Sequence, residues 1–163
     1  MIDYAKALKR GLDAANRAAA ARKEIDQIFQ DLDDQVLRGT KNKVSIRCRT
    51  CDPGDALPAT PHVEDFYPHE LSSVTGYHTS VTQARGSLAI AAFNPTVGSK
   101  KQALLALCEI DRAGYPFQVT WNDKVNICED GEALRSCLAD LLSDPLVGQK
   151  IHNLMTLQPQ KAA

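Results

Sequence analysis

The chain opens with a stretch that can form little other than a long amphipathic helix. From Asp3 to about Leu37 there is no proline and only one glycine, Gly11. Ala5, Leu8, Leu12, Ala15 and Ala19 make one apolar stripe, continued by Ile25, Phe29, Leu32 and Val36. Steps of three and four residues are what one face of an α-helix requires. At about 1.5 Å per residue the helix reaches roughly 50 Å, longer than a domain of this size is wide. An element that outruns its own core has to pack against something else. Residues 1–38 are therefore read as an assembly element, set before an α+β domain over residues 43–156.

The rest of the chain must build that domain's core. With 163 residues there is enough for one domain. A hydrophobic content of 44% and a charged content of 24% are ordinary for a globular protein. No apolar run approaches the roughly 18 residues of a membrane span. The start of the chain carries Asp3, Lys6, Lys9 and Arg10 and has no apolar signal-peptide core, so a cytoplasmic location and no membrane partner are expected. Five cysteines, an odd number, fit that location better than secretion.

Net charge is −1, which argues against a strong polyanion binder over the whole chain. The distribution is uneven: residues 1–50 hold eleven Lys/Arg against seven Asp/Glu. The sharpest basic segment is Arg38, Lys41, Lys43, Arg47 and Arg49, with no acid among them.

Past the helix, Gly39 is expected to take the left-handed C-cap conformation beside Arg38. Val44, Ile46 and Cys48 alternate with Ser45, Arg47 and Arg49, which predicts a half-buried strand over Lys43–Arg49. Residues 50–86 then lose all pattern, interrupted by Pro53, Pro58, Pro61 and Pro68. A long irregular loop of this kind is uncommon inside a compact domain. Ser87–Phe93 is apolar on both faces and reads as an interior strand. Ser99 followed by Gln102 resembles a capping box, and a helix is predicted over Lys100–Arg112. Strand, helix and strand would then make a right-handed crossover between parallel strands.

Phe117–Trp121 and Val125–Cys128 predict a hairpin. A two-residue loop puts Trp121 opposite Lys124, and a three-residue loop puts Trp121 opposite Val125. The second collects apolar residues on one face and is preferred. Asp130 should cap a helix through Leu142, and Asp144-Pro145 should start a last helix carrying Leu146, Val147, Ile151, Leu154 and Met155. Residues 157–163 are expected to fray. The order is α-β-loop-β-α-β-β-α-α, an α+β fold with a small mixed sheet of about four strands.

Few residues carry recognisable chemistry. Cys48 and Cys51 form a CxxC pair, and His62, His69 and His78 follow, so one metal's worth of ligands lies within residues 48–78, although the histidines are widely spaced. A zinc ribbon would show a second tight pair, which is missing, so no cofactor is expected and a zinc module or zinc-dependent hydrolase is the alternative. Cys108, Cys128 and Cys137 fall on apolar faces, where free thiols act as small hydrophobes. No phosphate-binding loop, Rossmann glycine pattern, GxSxG or HExxH is present.

The basic segment is the best polar candidate. Arg47 and Arg49 are two apart and project from one strand face, where an arginine can fork onto phosphate or carboxylate. Phe66, Tyr67 and Tyr77 could assist from the long loop. The alanines from Ala14 to Ala21 let another helix approach closely, yet no other predicted helix is more than about half as long. Self-association as a helix pair resolves the mismatch, and a homodimer is expected. The resulting reading is a non-catalytic binding protein that engages an acidic protein surface or nucleic acid, of a type that suits a bacterial or phage accessory protein.

Overall fold

A computed structural model describes residues 2–50, 88–98 and 101–158. The order is α1 (Tyr4–Gly39), β1 (Ser45–Thr50), β2 (Leu88–Phe93), β3 (Gln102–Ile110), β4 (Phe117–Trp121), β5 (Lys124–Cys128), α2 (Gly131–Ser143) and α3 (Pro145–Met155). The strands form one sheet in the order β1-β2-β3-β4-β5, with every neighbouring pair antiparallel. The α+β class and the long N-terminal helix stand; among the described residues the sheet has five strands rather than about four.

The helix expected over Lys100–Arg112 is replaced by the strand β3, Gln102–Ile110, which pairs antiparallel with β2, so β2 and β3 are not joined by a parallel crossover. The composition of β3 misleads, because Ala and Leu are good helix formers. A bulge misleads further: the β2–β3 register slips between Ile90 and Ala91, pairing Ile90 with Ala106 and Ala91 with Leu104. The extra residue, Leu105, breaks the alternation of β3. Leu105, Ala106 and Cys108 reach the main core, and Leu104 joins Ala89 and Ala91 in a second cluster. Two-sided burial at the centre of the sheet overrides local propensity here.

The hairpin also differs from the preferred register. Trp121 pairs with Lys124 and Val119 with Asn126, so the loop is the two-residue one. Asn122 and Asp123 have φ of 49° and 60°, the left-handed pair that a type I′ turn needs. That turn matches strand twist, and the fit outweighs placing Val125 and Ile127 outward, 56% and 60% exposed. Asn122 Nδ2 then donates to Asp144 Oδ2 at 2.6 Å, pinning the turn to the α2–α3 junction.

One face of the sheet is covered by all three helices. Ile25, Ile28 and Phe29 of α1, Leu134, Leu138 and Leu141 of α2, and Val147 and Leu154 of α3 meet Ile46, Ile90, Ala92, Phe117 and Val119. The rings of Phe29 and Phe117 lie 5.8 Å apart at 50°. Caps set the helix boundaries. Asp3 accepts from Lys6 N at 3.0 Å, Asp130 from Ala133 N at 2.8 Å and Asp144 from Leu146 N at 2.8 Å. Buried Asn94 ties β2 to α3, donating to Leu154 O at 2.8 Å while its Oδ1 accepts from Thr96.

The end of α1 is built differently from the expectation. Gly39 remains helical, and the left-handed residues are Lys41 (φ 54°) and Asn42 (φ 62°). Thr40 Oγ1 donates to Val36 O at 2.8 Å and accepts from Val44 N at 3.1 Å, so a threonine closes the helix and turns the chain into β1.

Candidate functional site

Two surfaces converge on α1. The first is the helix itself, which is packed only over its second half. From Tyr4 to Ala20 every side chain is exposed except Ala18, which is half-buried. Tyr4, Leu8 and Leu12 are 76%, 65% and 57% exposed. Three turns of apolar residues open to solvent make an extended patch, which marks an interaction surface better than single exposed leucines do.

The helix leaves the domain at a tight crossing. Gly114, with φ +93°, sits against Ala21, and a Cβ at Gly114 would come within 2.5 Å of the Ala21 Cβ. Arg22 Nη2 donates to Arg112 O at 3.1 Å, and Tyr115 O–H donates to Glu24 Oε2 at 3.2 Å. A Cβ at Gly131 would meet the Glu24 carboxylate, so glycine lets that carboxylate sit at the N-terminus of α2, where the helix field favours an acid. Burial and the Glu24 carboxylate push the Tyr115 phenol up to about 12. The small side chain of Ala21 thus serves a turn within the same chain.

The second surface is the basic segment. Arg38 is exposed and its Nε donates to Asp34 O at 3.2 Å. Lys41 and Lys43 are exposed on the turn that leaves α1. On β1, an edge strand, Arg47 is exposed and its guanidinium lies 5.1 Å from the centre of the Phe93 ring. That contact holds the guanidinium by cation–π attraction. Arg49 is half-buried and its Nη1 donates to Thr50 O at 2.8 Å. Asp33 of α1 accepts from Ser45 Oγ at 2.7 Å and from Ile46 N at 2.9 Å, so part of the β1 edge is blocked by a carboxylate. Blocking of this kind suppresses unwanted strand pairing.

Between α1 and β1 runs a groove of about 400 Å³. Asp26, Phe29, Gln30 and Asp33 form its helical wall; Ile46, Cys48 and Ile110 stand among the residues opposite. Nothing in the residue pattern announces this groove, since its two sides are separated in sequence. What could be counted is the charge along α1. Tyr4–Lys23 holds six Lys/Arg and one acid, Asp13; Glu24–Gly39 holds five acids and one cation, Arg38.

Of the described thiols, Cys108, Cys128 and Cys137 are buried and Cys48 is half-buried. Cys108 and Cys48 share a hydrogen bond that lowers the Cys48 thiol and, with burial, raises Cys108 far above the ordinary range. Burial and the neighbouring Cys128 push Cys137 up to about 12, and burial raises Cys128. Raised thiols hold their protons and are poor nucleophiles. His152 is exposed in the last turn of α3. Among the described residues no group of three or more His, Cys, Asp or Glu is placed to hold a metal ion. Cys51, His62, His69, His78, Phe66, Tyr67 and Tyr77 lie outside the described residues. Among the described residues no helix is long and apolar enough to cross a membrane.

Compared with known proteins, the chain matches no protein family, no curated protein and no solved structure.

Proposed function

We propose that this chain is a non-catalytic binding protein that self-associates through α1 and engages an acidic protein surface or nucleic acid through its basic turn and strand. One observation carries the reading: half of a 36-residue helix stands clear of its own core with tyrosine and two leucines exposed. Keeping such a patch in water opposes solubility, and covering it is favourable at about 25 cal/mol per Å² of apolar surface removed.

The basic segment supports the second half of the reading. Lys41, Lys43 and Arg47 are all exposed, and Arg47 is held by Phe93 rather than spent on an acid. The turn and the outer side of β1 follow the C-terminal end of α1, so the binding surface and the exposed overhang lie at opposite ends of one helix.

Fluorescence anisotropy with two probes, a short DNA duplex and a polyglutamate peptide, tests the binding surface at low salt. One probe should bind, with affinity falling as salt rises. The variant Lys41→Glu, Lys43→Glu, Arg47→Glu should bind it at least about tenfold more weakly with an unchanged thermal midpoint. Wild-type protein that binds neither probe, or a variant that binds as well, sinks this half of the proposal. Light scattering tests the other half, which requires twice the chain mass.

A further inference from the structure

The two edges of the sheet are finished differently. β1 is guarded: the Asp33 carboxylate accepts from Ser45 Oγ and Ile46 N, and Arg47 stands exposed beside them. Charge along an edge strand keeps other strands away. β5 is the other edge, and among the described residues no side chain bonds its backbone.

The hairpin decides what β5 offers. Its two-residue left-handed turn sets Trp121 against Lys124, and a turn of that kind closes on a hydrogen-bonded pair. Lys124, Asn126 and Cys128 therefore direct their backbone groups to β4. Val125 and Ile127 aim theirs the other way, out of the sheet. Among the described residues no hydrogen bond reaches those outward N–H and C=O groups. The same two side chains are 56% and 60% exposed. On β4 they oppose Thr120 and Gln118 rather than the core residues Val119 and Phe117, so they lie on the sheet face turned away from the helices.

An edge with unpaired donors and acceptors takes up an extended strand. The residues identify which strand, because β5 is complementary to itself when run antiparallel. A two-fold axis at Asn126 sets Val125 of each copy against Ile127 of the other. Both members of each pair face outward, so each pair exchanges both of its N–H···O=C bonds. Valine meets isoleucine on one face, a favourable cross-strand contact. On the other face the two Asn126 side chains meet, and within one chain that amide makes only a 3.5 Å contact to Val119 O. Exposed Lys124 comes across from Cys128, with the exposed carboxylates of Glu129 and Asp130 of the other copy just beyond it. Asp123 has already left the strand in the turn. The strand thus carries its cation at one end and acids at the other, and only antiparallel pairing brings unlike ends together.

We propose that a second copy adds to the β5 edge, antiparallel about Asn126, so that two copies share one continuous sheet. This contact is separate from the pairing of α1, since β5 lies at the opposite edge of the sheet from β1, the strand into which α1 leads. The interface is isologous. A five-residue edge makes a small contact, so it forms as concentration rises. Where both contacts form, copies join alternately through helix and edge.

Sedimentation from micromolar to millimolar concentration tests the edge in a chain carrying Leu8→Glu and Leu12→Glu, which takes away the exposed leucines of α1. That chain should still pass from monomer to dimer; one that stays monomeric throughout overturns the proposal. Ile127→Lys added to it should weaken the dimer about tenfold or more, because an edge lysine is how natural sheets prevent pairing. Lys124→Glu should weaken it about fivefold by setting acid near acid. Both positions are exposed, so the thermal midpoint should not move. A dimer indifferent to Ile127→Lys overturns the proposal. Amide exchange on the unaltered chain gives a reading without variants: the N–H groups of Val125 and Ile127 should become protected as concentration rises. If they exchange at a constant rate while the mass doubles, association runs through α1 alone and the edge pairing is wrong.

Discussion

From Ala21 to Leu37, α1 lies on the sheet through Ile25, Ile28, Phe29, Leu32 and Val36; from Tyr4 to Ala20 its side chains are exposed, apart from half-buried Ala18. Both halves are equally helical, for different reasons. The packed half is held by buried apolar area, with Asp33 bonding the start of β1. The overhang is held by alanine, the best helix former, by the Asp3 cap and by growth from a nucleus the packed half has already supplied. Tertiary contacts are therefore unnecessary for the helix to extend. They decide which parts of it a substitution can damage.

The largest contrast should come from Phe29→Ala. Phe29 is buried against Phe117, and removing a core phenylalanine costs about 3–5 kcal/mol. Leu12→Ala, under conditions where the chain is monomeric, should change the unfolding free energy by no more than about 0.5 kcal/mol. Urea unfolding of both variants measures the difference. Equal losses would mean that the overhang is packed in the monomer, and the contrast between the halves would fall.

Gly114→Ala probes the boundary. The new Cβ collides with Ala21 at a left-handed backbone position, and overpacking of that kind costs about 1–3 kcal/mol before backbone strain is added. Combining it with Ala21→Gly should recover the collision and leave the backbone strain. Full recovery would show that φ at this position is adjustable; no recovery would show that Ala21 is not the obstacle. Asp33→Ala, inside the packed half, should cost about 2 kcal/mol by leaving Ser45 and Ile46 without their carboxylate partner.

Tyr115 gives the boundary a pH signature. Its folded pKa is about 12, above the ordinary 10, so the neutral phenol is the form the fold prefers. The stability it contributes is complete below pH 10 and is lost as pH rises from about 10 to about 12. Ultraviolet titration should show one tyrosine ionising late, and Tyr115→Phe should remove that step. A late step that survives the substitution would place the perturbed phenol elsewhere.

The packed half of α1, the caps at Asp130 and Asp144, and the strand Ser45–Thr50 were all legible from periodicity and capping chemistry. Gln102–Ile110 was not, because its bulge places Leu105 and Ala106 together in the core and copies the spacing of a helix. The hairpin register follows a related rule: the twist that a left-handed Asn122-Asp123 turn supplies outranks apolar pairing across the strands. The basic residues were visible one by one, whereas the groove beside them depends on a contact between α1 and β1 that no local pattern encodes. The exposure of Leu8 and Leu12 lies between these cases. The stripe was readable, but only the placement of the sheet under residues 21–37 shows that the first half goes uncovered.

The smallest effect on global stability belongs to Asp3→Ala, and it separates the halves most cleanly. Loss of an N-cap aspartate costs a helix about 1 kcal/mol. In the packed half that loss would be felt by the whole fold. At Asp3 it should be confined to the overhang, because the turns it releases are exposed and can fray alone. Urea unfolding should be unchanged within about 0.5 kcal/mol, while amide exchange over the first turns of α1 speeds up about fivefold in the monomer. Once the overhang is covered by a second copy, the same frayed turns must be re-ordered on association, so the dimer should weaken by a similar factor. A variant that frays the overhang yet leaves the dimer intact would show that residues near Tyr4 lie outside the interface and would shorten it to the stretch around Leu12 and Ala19.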